Sequence, residues 1–116
     1  MPRLLGLSAL FLSTLVACNG DNGPSGPSPT GTTISIVAGS SNLTTTAYAP
    51  NPVTISVGGT VTWINNDAVA HTSTSNQWDS GTIQPGGRFS RTFQTAGSFP
   101  YRCTLHPNMI GTVDVQ

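Results

Sequence analysis

The sequence has very few charged residues. Four arginines and four aspartates make up its 7 % of charged residues, lysine and glutamate are absent, and the formal net charge of the 116 residues is zero. A protein that binds nucleic acid through its phosphates needs a cluster of basic side chains. The four arginines are scattered, so we expect no nucleic-acid partner. The four aspartates are scattered too and form no carboxylate pair for acid–base catalysis, so we do not expect an enzyme.

The sequence also has little that favours helices. Threonine, serine, glycine, proline and asparagine are plentiful, and these residues suit strands and turns. Short runs of alternating apolar residues are separated by turn signals such as Gly58-Gly59 and Pro85-Gly86-Gly87. We therefore predict an all-β fold, an antiparallel β-sandwich of about seven or eight strands.

The candidate strands can be placed by this alternation. Within segment 53–57, Val53, Ile55 and Val57 share one face, whereas segment 43–49 is polar and would be a weak or edge strand. In segment 89–94 the same alternation would bury Arg91, and a β-bulge would re-aim that side chain. The candidate segments are 32–37, 43–49, 53–57, 60–65, 68–75, 89–94, 98–103 and 109–115.

The first residues have the pattern of a targeting segment. Arg3 precedes an apolar run over residues 4–17, which is too short to span a membrane comfortably. The end of the run, Leu15-Val16-Ala17-Cys18, resembles a bacterial lipobox. This resemblance implies a lipoprotein signal peptide over residues 1–17, cleavage before Cys18 and lipid attached to that cysteine. The alternative is an ordinary secretory signal that is cut nearby.

Residues 19–31 contain glycine, proline, serine and asparagine but no apolar side chain that could be buried. Such a segment cannot offset the entropy lost on ordering. We predict that residues 18–31 are a lipidated cysteine and flexible linker, which tether a folded domain over residues 32–116 to a bacterial membrane. The predicted location is extracytoplasmic, in the periplasm or at the cell surface.

The second cysteine belongs to a cluster of metal-binding residue types. Cys103, His106 and Met109 lie within seven residues, and His71 is the other of the two histidines. A disulfide between Cys18 and Cys103 is the alternative, but a lipidated Cys18 could not form it. Two histidines, one cysteine and a weak axial methionine form the mononuclear copper site of blue-copper proteins. We predict that these four residues bind one copper ion that alternates between Cu(II) and Cu(I).

Each of these residues has a simpler interpretation when taken alone. Cys103 shares the parity of Phe99 and Tyr101, so it could be a small buried core residue. His106 precedes a proline in a loop and could be a surface residue, and Met109 could fill the core. The combination of all four is what indicates a metal site. Zinc could enter it, but methionine is a poor zinc ligand, so we expect copper to compete better.

Residues 49–115 resemble the cupredoxin (type 1 blue copper) family, in its plastocyanin and amicyanin branch. The gap of two residues between His106 and Met109 is similar to that of amicyanin. The resemblance implies a Greek-key sandwich with copper at one end. The segments that carry it are Pro50-Asn51-Pro52-Val53, Gly59-Thr60-Val61-Thr62-Trp63, Asn65-Asn66-Asp67, His71, Asp79-Ser80-Gly81, Pro85-Gly86-Gly87, Thr92-Phe93, Ala96-Gly97 and Tyr101 through Val115.

The sequence departs from this family around the ligands. Thr72 stands where the family often has an asparagine whose side chain braces the cysteine loop, although a backbone donor from Thr72 to the sulfur would remain. Leu105 replaces a proline that is common in amicyanin. Asn108 replaces a bulkier apolar residue, and Ala70 stands where proline is frequent. These changes alter the loop and its rim, and they leave the four ligands in place.

The resemblance implies a monomeric electron carrier that exchanges single electrons with redox proteins. Donor and acceptor would dock transiently near His106, on a small apolar rim formed by Leu105, Pro107, Val69 and Ala70. One alternative is a copper-binding or copper-delivery protein without a redox partner. Another is a β-sandwich that binds other molecules without any metal. Rapid loss of copper to an acceptor would favour the first alternative, and failure to bind copper would favour the second.

Overall fold

The alternating segments form seven strands. The computed structural model describes residues 31–116. The predicted signal peptide, the Cys18 lipidation site and nearly all of the predicted linker therefore lie outside the described residues. The strands are β1 (Gly31–Ile36), β2 (Tyr48–Ala49), β3 (Val53–Ile55), β4 (Thr60–Asn65), β5 (Arg88–Thr92), β6 (Gly97–Arg102) and β7 (Ile110–Val115), and a 3₁₀ turn covers Ser40–Asn42.

The strands are arranged in two sheets, with the orders β2-β1-β4-β5 and β3-β7-β6. The predicted all-β sandwich is confirmed. Strand direction differs in part from the prediction, because β1 pairs with β4 and β3 pairs with β7 in parallel, and the other three pairs are antiparallel. Each parallel pair joins strands that are far apart in the chain, because the segment between them passes through the other sheet. Alternation of side chains is the same in either direction, so the sequence pattern does not reveal this feature.

Aromatic side chains fill much of the space between the sheets. The Trp63 ring on β4 meets the Tyr101 ring on β6 edge to face at 5.3 Å, and so joins the two sheets. Trp78, in the segment between β4 and β5, packs against Trp63 at 5.7 Å. Offset and edge-to-face pairs of this kind add to the stability gained from apolar burial. The other buried apolar residues include Ile34, Ile36, Val61, Phe93, Val113 and Val115.

The backbone around Arg91 differs from the sequence prediction of a β-bulge. The register of β5 against β4 continues unbroken through the pairs Val61 with Arg91 and Trp63 with Phe89, so a bulge does not re-aim the arginine. Its guanidinium instead lies 5.2 Å from the centre of the Trp78 ring and 5.3 Å from that of Phe93. A cation over aromatic faces is attracted to them. The arginine is thus accommodated on the inner face at the edge of the core.

Two candidate strands are shorter than their patterns predict. Segment 43–49 contributes only Tyr48–Ala49, because the chain first makes the 3₁₀ turn and then an exposed polar loop. Strand β3 ends at Ile55, and a turn closed by the Gly59 N–H and the Ser56 carbonyl follows. Val57 therefore lies in that turn and is 48 % exposed, contrary to its expected place beside Val53 and Ile55.

Candidate metal centre

His71 lies in the long segment between β4 and β5. Segment 68–75, which leads through His71, forms only isolated bridges to its neighbours. One bridge holds His71, whose N–H donates to the Ile83 carbonyl at 3.2 Å and whose carbonyl accepts from the Ile83 N–H at 2.7 Å. Two further bonds join Thr74 to Arg102 at the end of β6. These bonds place His71 beside the loop that follows β6.

The β6–β7 loop carries the other three candidate ligands. Its first residue, Cys103, donates its N–H to the Met109 carbonyl at 3.1 Å, and Met109 donates its N–H to the His106 carbonyl at 2.9 Å. The loop is therefore folded back on itself by its own backbone. Cys103 and Met109 are fully buried, and His106 is half-buried.

The structure brings the donor atoms of three of the four predicted ligands close together. Cys103 Sγ lies 3.7 Å from His71 Nδ1 and 3.9 Å from His106 Nδ1, and the three donor atoms all lie within 4.8 Å of one another. Met109 contributes a buried thioether from the same loop. A thiolate, two imidazole nitrogens and a thioether form a donor set that suits copper in both oxidation states. The residues present therefore fit the metal that the sequence predicts.

Thr72 supports the cysteine from the neighbouring loop. Its N–H donates to Cys103 Sγ at 3.3 Å, which confirms the backbone donor considered from the sequence. Its Oγ1 accepts from the Thr104 N–H at 2.9 Å, so this threonine also braces the cysteine loop. The Tyr48 hydroxyl in turn donates to the Thr72 carbonyl at 2.7 Å. The replacement of the family's usual asparagine thus preserves a side-chain link between the two loops.

Asp67 is a residue of the site that sequence reasoning missed. Its Oδ2 lies 2.7 Å from His71 Nε2, on the side of the ring away from Cys103. Because an ionised carboxylate only accepts hydrogen bonds, Nε2 is the ring nitrogen that donates to Asp67, and Nδ1 is the nitrogen that faces Cys103 and could bind a metal. The hydrogen bond with His71, helped by the Gly39 N–H, lowers the pKa of Asp67 to about 2.

The segment before β2 holds this carboxylate in position. The Gly39 N–H donates to Asp67 Oδ1 at 3.0 Å, and Gly39 has a φ of 78°, which glycine adopts without strain. The fully buried Ser40 hydroxyl lies 3.1 Å from His71 Nε2 and 3.4 Å from Asp67 Oδ2. In the sequence, Asn65-Asn66-Asp67 indicates only a turn. The only other sequence feature that could have pointed to Asp67 is its position four residues before the candidate ligand His71.

Several apolar side chains near the candidate ligands in the chain are exposed. Leu105 is 51 % exposed and Val69 is 46 % exposed, and Pro107 beside His106 is also exposed. The predicted rim is therefore at the surface, although Ala70 is only half-buried and contributes less to it. Leu105 and Pro107 flank the half-buried His106 in the chain, so exposed apolar side chains lie beside this candidate ligand.

A family profile matches most of the chain. Residues 34–116 match the family described as copper binding proteins, plastocyanin/azurin family. This range includes all four predicted ligands. It begins at the third residue of the predicted domain and ends at the last residue of the sequence.

Similar proteins of known identity include plastocyanin and amicyanin. The plastocyanin of Scenedesmus fuscus is 34 % identical, over 60 % of this chain and 86 % of that protein. The amicyanin of Paracoccus denitrificans is 36 % identical, over 60 % of this chain and 58 % of that protein. The match thus spans most of the plastocyanin and somewhat more than half of the amicyanin.

Similar folds are found among solved structures. A purple cupredoxin from Nitrosopumilus maritimus superimposes with a TM-score of 0.67 and 33 % identity, over 73 % of this chain and 99 % of that one. A variant of amicyanin in its Cu(I) form superimposes with a TM-score of 0.62 and 27 % identity, over 73 % of this chain and 81 % of that one. The sandwich described above is therefore the cupredoxin fold.

These matches agree with the geometry of the centre. They confirm the prediction of one copper ion as the cofactor. They also confirm the general class of the protein, a copper electron carrier. They also agree with the unusual grouping of a buried thiol and two imidazoles at one end of a β-sandwich. The chain belongs to the plastocyanin/azurin family of copper binding proteins.

Proposed function

We propose that this protein carries single electrons between redox proteins outside the cytoplasm, with copper bound by His71, Cys103, His106 and Met109. The observation that carries the proposal is the convergence of Cys103 Sγ with the Nδ1 atoms of both histidines, at 3.7 and 3.9 Å. Copper bound there would supply a one-electron couple between Cu(II) and Cu(I).

The protein's own contribution is to hold the donors still. The Thr72 N–H donates to Cys103 and the Asp67 carboxylate accepts from His71, so both ligands are oriented. The β6–β7 loop is closed by its own backbone hydrogen bonds. Donors that move little between oxidation states allow fast electron exchange. The buried thiol and thioether also keep water away, and the polarity around the cysteine sulfur tunes the potential.

We propose that partners dock on the apolar rim around His106. The exposed side chains of Leu105 and Val69 would make a small contact, which suits the brief encounters of electron-transfer proteins. The half-buried His106 ring would lie between the metal and the partner. Weak apolar docking at this ring would give a short path for the electron.

The decisive experiment is a titration of the purified protein with Cu(II), followed by visible absorption spectroscopy. We expect an intense thiolate-to-copper band that saturates at one equivalent. The Cys103→Ser variant should lose the band, whereas Ser98→Ala, a change at the surface of the preceding strand β6, should keep it. A colourless wild-type protein, or a weak band that survives Cys103→Ser, would overturn the proposal.

A second measurement separates electron transfer from copper delivery. We expect the copper-loaded protein to exchange electrons rapidly between its Cu(I) and Cu(II) forms, which line broadening in NMR spectra measures. We also expect slow loss of copper to a soluble chelator, because the thiol, one imidazole and the thioether are fully buried. Slow self-exchange together with rapid copper loss would contradict the electron carrier and favour delivery.

We further propose that lipid on Cys18 anchors the domain to a bacterial membrane. The motif Leu15-Val16-Ala17-Cys18 supports this proposal. None of the helices in the part of the chain that the structure describes is long and apolar enough to cross a membrane. Expression in a bacterium with a labelled fatty acid should label the protein and place it in the membrane fraction. The Cys18→Ala variant should lose both properties, and label that persists in it would contradict the anchor.

A further inference from the structure

One contact between a carboxylate and a histidine lies behind the candidate ligands. Among residues 31–116 a single carboxylate comes within ion-pair distance of a basic group, and it is Asp67 beside His71. The His71 side chain is fully buried, and the Asp67 side chain is 9 % exposed. In a protein with so few charges, a carboxylate placed against a candidate metal ligand calls for a physical explanation.

The position of Asp67 is set independently of His71. Its Oδ1 accepts two backbone hydrogen bonds, from Gly39 at 3.0 Å and from Ala68 at 2.8 Å. This leaves Oδ2 directed at His71 Nε2 at 2.7 Å, with the Ser40 hydroxyl beside both atoms. The carboxylate can therefore hold the ring in one orientation and one tautomer, with the proton on Nε2.

The same contact changes the electronic character of His71. A carboxylate that accepts the remote N–H of a ligand histidine increases the basicity of that ligand, and a nearby negative charge favours the more positive metal state. At a site with little exposure to water, this effect is weakly screened. Within the described residues no carboxylate contacts His106, so a carboxylate can act on the metal through His71 only.

We propose that Asp67 is a positioning residue that holds His71 for copper and lowers the reduction potential of the centre. This inference rests on the proposed function. Groups that accept a hydrogen bond from the second ring nitrogen of a metal-bound histidine contribute about 10- to 100-fold to metal affinity. We expect Asp67 to favour Cu(II) over Cu(I) by about tenfold, which corresponds to about 59 mV for a one-electron couple.

The test compares Asp67→Asn with Asp114→Asn in the copper-loaded protein. Both substitutions remove one negative charge, and Asp114 also accepts a hydroxyl hydrogen bond, from Ser98 at 2.8 Å, but on the β6–β7 sheet. Spectroelectrochemical titration should show a potential that rises by about 59 mV in Asp67→Asn, the equivalent of about tenfold. The potential of Asp114→Asn should change by much less. Equal shifts in the two variants would overturn the inference, because the effect would then be one of net charge.

A second measurement uses the unmodified protein, so that the inference stays testable if Asp67→Asn does not fold or load. In the diamagnetic Cu(I) form, ¹⁵N–¹H NMR should show a slowly exchanging proton on His71 Nε2, and the half-exposed His106 ring should exchange faster. A His71 ring proton that exchanges as fast as that of His106 would overturn the inference. If wild-type protein gave no thiolate-to-copper band, the proposed function would fail first. A normal thiolate-to-copper band together with equal shifts in reduction potential in the two variants would contradict the role of Asp67 and leave the proposed function intact.

Discussion

Two buried tyrosines near the centre differ in whether the hydroxyl has a hydrogen-bond partner. Tyr48 donates to the Thr72 carbonyl at 2.7 Å, whereas the buried Tyr101 hydroxyl has no hydrogen-bond partner among residues 31–116. Loss of the Tyr48 hydroxyl leaves a buried carbonyl unpaired, which costs about 1–3 kcal/mol. Tyr48→Phe should therefore lower the free energy of unfolding by about that amount, and Tyr101→Phe should be nearly neutral. Urea unfolding of the metal-free proteins measures both, and equal losses would contradict this account.

The same tyrosines give a pH dependence with a definite sign. Burial raises the pKa of both phenols above the ordinary value of 10.0. In the unfolded chain they ionise near that ordinary value, so the unfolded state gains stability as the pH rises above about 10. The folded protein should be destabilised progressively above this pH. Thermal unfolding between pH 8 and pH 11 should show a smaller alkaline loss in Tyr101→Phe than in the wild type.

At the scale of strands, the close approach of β6 and β7 depends on a glycine. Gly111 pairs with Tyr101, whose ring covers the glycine so closely that an added Cβ would collide with Tyr101 Cζ and its hydroxyl oxygen. The ring cannot easily move aside, because the Tyr48 ring lies at 4.7 Å and the Trp63 ring at 5.3 Å. Forcing a methyl group into such a site costs about 1–3 kcal/mol. We expect Gly111→Ala to lower the free energy of unfolding by at least that amount.

The matched control for this strand is Gly31→Ala. Gly31 also lies in a strand, but an added Cβ there would meet nothing within 4 Å. We expect its effect on the free energy of unfolding to stay within about 0.5 kcal/mol. Denaturant curves of both variants would decide the matter. A Gly111→Ala protein as stable as Gly31→Ala would show that Tyr101 can move without cost.

The strands and the candidate ligands were predictable because their signals are local. Alternating apolar residues indicated β4 and β7, and Cys103, His106 and Met109 lie within one short loop. The parallel pairings were not predictable, since alternation carries no direction. Asp67 escaped because its role depends on Ser40 and His71, which the fold brings together from 27 residues before it and four residues after it. Such contacts follow from loop conformation and not from a pattern.

Arg91 shows a second limit of the sequence pattern. Its parity placed it on the buried face of β5, and the usual cost of burying a charge suggested a bulge. The structure keeps the regular register and places the guanidinium over the rings of Trp78 and Phe93, which contact each other at 5.3 Å. The side-chain face was therefore predictable from alternation. Phe93 is also local, but the contact with Trp78 depends on packing of the segment between β4 and β5 against β5.

At the scale of the whole molecule, the proposed copper ligands connect the two sheets. His71 follows β4 of the first sheet, whereas Cys103, His106 and Met109 lie between β6 and β7 of the second. Copper bound only by the folded state should therefore stabilise the entire sandwich against unfolding. A free copper concentration of 100 times Kd gives about 2.7 kcal/mol. For a domain of this size, each kcal/mol raises Tm by about 4–8 °C.

We therefore expect saturating copper to raise Tm by on the order of 10–20 °C in one cooperative transition. Differential scanning calorimetry of the metal-free and copper-loaded proteins measures this shift, and removal of copper by a chelator should reverse it. His106→Ala should reduce the shift, because one of the donors from the second sheet is lost. A copper-loaded wild-type protein with the Tm of the metal-free form would contradict the idea that the metal joins the sheets. Two separate transitions would show instead that copper stabilises one end of the sandwich independently of the rest.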